Sequence, residues 1–410
     1  MKNIKVYILF VLLGLSGTIM AQDELNHYLV EAAENNPALK ASFNRYLAAL
    51  EKAPQAGAMP DPQIAFAYFI QPVETRNGPQ EFKISATQMF PWFGTLKAKE
   101  NASVAEAKAL YEMFEENKSK LFNEVKANWY NLYFNNKAIS ITLENIEILN
   151  TFKKLAIVKV EAGLVSAVDQ YRIEMEINDL ENQLALLKDQ QEVLELSFTN
   201  LVNANDKKVI TFPDELWSTD ILYSKEAVLD SIQLKNHQLL HIDLQKSALA
   251  FKKQAAQKQG APTFSLGIDY VSIGKGDNNL SGKDAIAFPK VGLTIPLYRN
   301  KYKSMVQEVI YLETARDYER ADKENILESV FENSWKDYRD ARRRMELFDK
   351  QLTIVRKSLK LLETEYAYAN RNFEEILRME RRLLKYNLEL EKARTDKQAA
   401  VAFIHYLMGK

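Results

Sequence analysis

The sequence predicts a mainly α fold with β: long helical hairpins in duplicate, plus two β-hairpins. Three observations predict it. Residues 95–212 contain no proline and one glycine, Gly163, and residues 297–410 contain no proline and one glycine, Gly409. Each stretch carries apolar residues at steps of three and four, the stripe of a helix that buries one face. Each is preceded by a segment that alternates with period two, the pattern of strands. The plan recurs after about 200 residues, giving a first repeat over 22–212 and a second over 213–410.

Size and composition set the outer limits. The chain has 410 residues, 47% hydrophobic and 27% charged, with a formal net charge of -1. That balance gives no electrostatic case for a nucleic-acid partner. Residues 1–21 read as a secretory signal peptide, with Lys2 and Lys5 before the apolar run Val6 to Leu15 and Ala21 at the cleavage point. The absence of cysteine excludes disulfides and a lipid-modified N-terminal cysteine. After residue 21 no window holds 18 continuous apolar residues. Any membrane crossing is therefore expected from strands.

In the first repeat, Leu25, Leu29, Leu39, Phe43 and Leu47 mark an amphipathic segment over 23–53, interrupted at Asn35-Asn36-Pro37. Asn36 suits a cap and Pro37 a first turn. Pro54, Gly57, Pro60 and Pro62 predict that the chain leaves helix over 54–62. A β-hairpin is expected over about 63–90, with two strands near ten residues each. Ile64, Phe66, Tyr68 and Ile70 form one face, Phe82, Ile84 and Ala86 answer them, and Asn77-Gly78 signals the turn. Ten residues is the length of a tilted strand that spans a bilayer. The junction Phe90-Pro91-Trp92-Phe93-Gly94 ends the sheet and turns the chain; its aromatics suit a membrane interface or a packed turn. A helical hairpin follows over about 95–206, folded at Gly163. Its first arm, 96–160, is roughly 98 Å at about 1.5 Å per residue, too long for a compact core. A linker around Pro213 and Trp217 separates the repeats.

The second repeat follows the same order. Lys235-Asn236-His237-Gln238 takes the place of Glu34-Asn35-Asn36-Pro37, without the proline. A β-hairpin is expected over about 263–297, with Phe264, Leu266, Ile268 and Tyr270 opposite in parity to Asp269. Ile295-Pro296-Leu297-Tyr298 stands for the first junction. The second helical hairpin, about 300–408, carries a heptad seam of Met345, Phe348, Leu352, Val355, Leu359, Leu362 and Tyr366. Its turn falls near Asn370-Arg371-Asn372-Phe373. Because both ends of each β-hairpin join helices, the strands belong at one end and the helical turns at the other. Four strands are too few for a membrane barrel, and a trimer supplies twelve.

In this arrangement the chain resembles the TolC family of outer membrane efflux proteins. The resemblance rests on the duplication, on Leu29 to Pro37, on Phe90-Pro91-Trp92-Phe93-Gly94, and on Glu161-Ala162-Gly163-Leu164-Val165-Ser166-Ala167-Val168-Asp169. It implies a homotrimer in the outer membrane. A 12-stranded β-barrel would be continued by a periplasmic α-barrel, giving passive exit to substrates. It further implies a periplasmic adaptor, an inner membrane transporter reached through it, and outer membrane lipid as partners. Gly163, Leu164, Ser166 and Asp169, with Arg371, Asn372 and Phe373 at the second turn, are the expected adaptor-docking tip. The second turn lacks the family's glycine. No cofactor, metal or catalytic group is expected. The acidic residues sit among basic neighbours on helical surfaces, and His237 and His241 have no accompanying metal-ligand cluster. A channel for type I protein secretion, and a periplasmic coiled-coil adaptor or scaffold without a pore, are the alternatives.

Overall fold

The computed structural model describes residues 24–204, 210–275, 282–369 and 373–410. The signal segment 1–21 and the turn residues Arg371 and Asn372 lie outside the described residues. The chain is mostly helical, with a small antiparallel sheet. In order it forms α1 (24–35), α2 (Pro37–Leu50), α3 (Lys52–Gly57), β1 (Gln63–Tyr68), β2 (Glu74–Thr75), β3 (Gly78–Phe90) and α4 (Thr95–Glu161). It continues with α5 (Ala167–Val202), α6 (Lys225–Lys235), α7 (His237–Gln259), β4 (Thr263–Ile273), β5 (Ala285–Thr294), α8 (Arg299–Ala369) and α9 (Phe373–Leu407).

Two compact units share these elements. The helical unit draws on the described residues of Met1–Ala41, Glu115–Asn236 and Glu324–Lys410, and the sheet-bearing unit on Ser42–Phe114 and His237–Lys323.

In the helical unit the two hairpins pack through one apolar cluster. Leu149, Ala156, Ile173, Ile177 and Leu180 of α4 and α5 meet Val355, Leu359, Tyr366, Phe373, Ile376 and Leu384 of α8 and α9. The heptad seam of α8 thus faces its core. The stripe of α4 is less regular. Trp129 and Leu132 are fully buried, but Leu143 is exposed while Thr142 and Asn145 turn inward. A straight helix of 3.6 residues per turn drifts against a fixed spacing over 67 residues.

The helix breaks at Asn36 and Asn236 have the same construction. Asn36 donates its side-chain amide to the Leu201 carbonyl (3.1 Å), and Asn236 to the Leu407 carbonyl (2.9 Å). Each reaches the end of the last helix of its own half, where the final carbonyls lack helical donors. Both last helices end in the left-handed conformation, at Asn203 (φ 54°) and Gly409 (φ 71°). Asn36 therefore corresponds to Asn236. The sequence alignment of residues 34–37 with 235–238 is one residue out of phase.

The segment from 210 to 223 crosses the helices as an aromatic strap. Trp217 packs on Trp129 at 5.4 Å and Phe212 at 5.7 Å from the same indole. The Leu216 amide donates to the Tyr133 hydroxyl (3.1 Å). Lys397, almost fully buried, holds Asp220 at 2.7 Å and donates to Ser218 Oγ at 2.8 Å.

In the sheet-bearing unit helix persists through Pro54, against the expectation that the chain leaves it there. Pro54 falls in the first turn of α3, where a missing N–H leaves nothing unsatisfied. The chain becomes extended only after Gly57. The first hairpin is also uneven, with β1 at six residues and β3 at thirteen. Its turn residues are Arg76 and Asn77, and the positive φ falls on Gly78 (125°), not on Asn77.

Candidate membrane sheet and helical tip

The strands run β1-β3-β4-β5, every neighbour antiparallel, so the two hairpins join through β3 and β4. Register sorts the side chains onto two faces, because paired residues share a face and successive ones alternate. Phe66, Ile84, Tyr270 and Ile286 align across all four strands, and Ile64, Ala86 and Ile268 form the next row. This apolar face is open: Ile64 is 77% exposed and Phe66 67%, and Phe288 and Val291 of β5 are comparable. The other face carries Lys83, Ser85, Thr87, Ser265, Asp269 and Lys290. Asp269 lies there, bridged by Lys83 at 2.8 Å and Lys290 at 3.1 Å. A lone carboxylate in a strand is costly, and two flanking ammonium groups offset that cost.

Two details shape this sheet. A bulge interrupts the β4–β5 register between Gly267 and Asp269, and Pro289 falls opposite it, where its missing donor breaks no ladder. A Cβ on Gly267 would stand 2.7 Å from the Ala86 carbonyl oxygen, so close strand approach requires glycine there. β1 and β5 are the two edges.

The strand-to-helix junctions lie beside the sheet. Phe90 ends β3 paired with Phe264. Trp92 stacks on Phe264 with ring centroids 5.9 Å apart, and Phe93 is largely exposed. Gly94 (φ 76°) turns the chain, and Lys258 donates to the Phe93 carbonyl (3.2 Å). Pro91 and Pro296 are half-buried, while Leu297 and Tyr298 after the second hairpin are exposed.

The first helical tip is a Schellman turn. Gly163 N–H bonds the Val160 carbonyl and Leu164 N–H the Lys159 carbonyl, both at 2.9 Å, with Gly163 at φ 67°. Ser166 caps α5 by accepting from the Val168 amide, and Asp169 sits in its first turn, where a negative charge suits the helix N-terminus. Leu164, Val168 and Tyr171 are exposed. The first tip is tied to the second hairpin: Lys159 donates to the Tyr366 carbonyl (2.9 Å) and lies 3.8 Å from that ring's centroid. Arg172 bridges Asp169 and Glu374. Phe373 is 3% exposed, packed on Phe152 and Tyr366. It supports the tip from beneath and presents no surface.

One buried group has no sequence signal. Glu380 of α9 is 4% exposed, and its Oε2 has no hydrogen-bond partner. Burial, with Glu363 adding repulsion, pushes its pKa up from 4.5 to about 7. Among the described residues no helix is long and apolar enough to cross a membrane, and no group of three or more His, Cys, Asp or Glu is placed to hold a metal.

Residues 28–204 match the outer membrane efflux protein family. No curated protein matches the chain in sequence. Among solved structures, the outer-membrane channel OprN aligns with a TM-score of 0.75 at 14% identity, covering 94% of this chain and 90% of that one. The open state of the MtrE outer membrane channel of Neisseria gonorrhoeae gives 0.74 at 13%, covering 94% and 89%. The outer membrane protein VceC of Vibrio cholerae gives 0.72 at 16%, covering 95% and 97%. The paired helical hairpins and the sheet are shared with these solved structures as a fold. The family match lies in the first half of the chain, and the fold of nearly the whole chain is that of these channels.

Proposed function

We propose that the protein acts as a homotrimer, the outer membrane channel of a tripartite efflux system. Four principal strands from each of three copies make a 12-stranded barrel, and the long helices extend from it into the periplasm. The observation that carries this reading is the sheet: an open apolar face, a polar face with a Lys83–Asp269–Lys290 bridge, and two unpaired edges. An apolar outer face against lipid with a polar inner face is the pattern of a membrane barrel, and unpaired edges need partners. β5 of one copy pairing with β1 of the next removes every edge.

The helices supply a second support. α8 exposes Leu347, Ile354 and Leu361 at steps of seven, and α5 exposes Val168, Met175, Leu186 and Val193 at steps of seven and eleven. Such stripes lie on one side of a helix, and in a trimer each meets a neighbouring copy. The matching helix ends at Asn36 and Asn236 support reading the chain as two repeats, 22–212 and 213–410. The tip residues Gly163, Leu164, Ser166 and Asp169, with Arg371 and Asn372, are the adaptor-docking surface in this reading, and Phe373 braces it. Transport is passive in this chain, with energy supplied by the inner membrane partner.

Purified protein run by native mass spectrometry and reconstituted in planar bilayers tests the proposal. Trimers and stepwise conductance are expected. A monomer that stays in the aqueous phase and gives no conductance refutes it.

A further inference from the structure

In the helical unit, away from its tip, a cavity of about 150 Å³ lies between α1, α4, the 210–223 strap and α9. Its polar lining includes Lys126, Gln398, Thr219 and His405, and its walls include Tyr130 and Trp217. Among the described residues no carboxylate lines it. The cations nearby are otherwise matched: Lys397 is held by Asp220, Lys392 by Asp396, and Arg394 by Glu391 and Glu215. Lys410 lies over the Tyr223 ring at 5.6 Å, and Lys126 and the His405 ring have no such partner. Neither forms a hydrogen bond or ion pair with any described residue.

That pairing is unfavourable as it stands. Burial pushes the Lys126 ammonium pKa down. Burial, then Lys410 and Lys126, push His405 down. The Lys126 ammonium, partly withdrawn from water without a counter-charge, carries a cost. An anion beside it offsets that cost, and the neutral His405 ring can donate a hydrogen bond to it. The cavity also has a flat apolar side. Tyr130 is 5% exposed and stands 6.3 Å from Trp217, which packs on Trp129. The aromatic walls favour a planar apolar group over a fully hydrated ion.

We propose that this cavity binds a small carboxylate carrying a flat apolar group. The carboxylate sits between Lys126 and His405 within reach of the Gln398 amide, and the body lies against Trp217 and Tyr130. Because the strap forms one wall, occupancy fastens residues 210–223 to α4 and α9.

Calorimetric titration of the full-length protein in detergent with benzoate, then with phosphate, tests the proposal. Benzoate is expected to bind saturably. Lys126→Met is expected to weaken it at least about tenfold and Lys126→Arg only a few-fold, since a charge-assisted contact carries the affinity. Saturation-transfer NMR from the wild-type protein to the benzoate ring protons is also expected, and needs no variant to fold. Absence of saturable benzoate binding, unchanged affinity in a folded Lys126→Met protein, or phosphate binding as tightly as benzoate would each overturn it.

Discussion

Replacing Glu380 by glutamine separates burial of a charge from burial of a shape. The carboxyl, on α9, is almost fully buried, with Oε2 unpaired. Its pKa rises from 4.5 to about 7, through burial first and Glu363 second. The folded state therefore holds a proton that the unfolded state releases. Below pH 4.5 both states are protonated and the group contributes nothing. Between 4.5 and 7 the unfolded state ionises first, so stability falls as pH rises. Above 7 both are ionised and the penalty is constant. At about 1.4 kcal/mol per unit the full penalty is on the order of 3 kcal/mol. Glutamine is nearly isosteric and cannot ionise. Hydrogen exchange of the amides of residues 376–384, corrected for intrinsic rates, reports the local opening free energy. In the wild type it should fall by about 2–3 kcal/mol between pH 4.5 and 8, and in Glu380→Gln it should stay flat. Equal pH dependence in both proteins refutes the reasoning. So does an E380Q protein that is less stable than wild type at pH 8.

Three further outcomes follow from the geometry. Gly163→Ala meets open space but keeps a left-handed φ, so it should destabilise the first tip by about 1–2 kcal/mol, and Gly163→Asn should cost less; exchange of the 159–164 amides distinguishes them. Asn36→Ala removes the contact to the Leu201 carbonyl and the cap bond accepted from the Leu39 amide, and Asn236→Ala removes the contact to the Leu407 carbonyl, with an expected cost of about 1–2 kcal/mol for each, read from chemical denaturation. Ile354→Glu places a charge in the exposed stripe of α8, and native mass spectrometry should then show fewer trimers with helix content by circular dichroism unchanged.

Long elements were legible because their signals are local. Gly163 is the only breaker between residues 95 and 212, and the chain folds there. Period-two alternation located both strand pairs. Other features depend on partners far along the chain. Pairing of β3 with β4 joins residues near 85 to residues near 270, and nothing in either hairpin alone selects that neighbour or the bulge beside Gly267. Pro54 stays in helix because proline is excluded only from the helix interior, and the sequence does not show that a new first turn begins at Lys52. The burial of Phe373 is set by Phe152 of α4 and Tyr366 of α8, whose phases against α9 are fixed in three dimensions, and the burial of Glu380 leaves no local signal either.

The comparison of the two halves shows which constraints survive divergence. Proline after the first break has no counterpart after Asn236, and the glycine of the first tip is absent from Asn370-Arg371-Asn372-Phe373. Both of those residues serve chain direction, which several residue types can supply. What is kept is the asparagine at each break and the left-handed residue that ends each last helix. At Asn236 the constraint is chemical: its amide satisfies the carbonyl of Leu407 in a buried setting, where an unpaired acceptor costs about 1–3 kcal/mol. Asn36 makes a partly buried contact of the same kind and also caps α2 by accepting from the Leu39 amide at 3.1 Å, so alanine there loses a cap as well. Unchanged stability in both alanine variants would mean that the break is held by helix packing and not by these bonds.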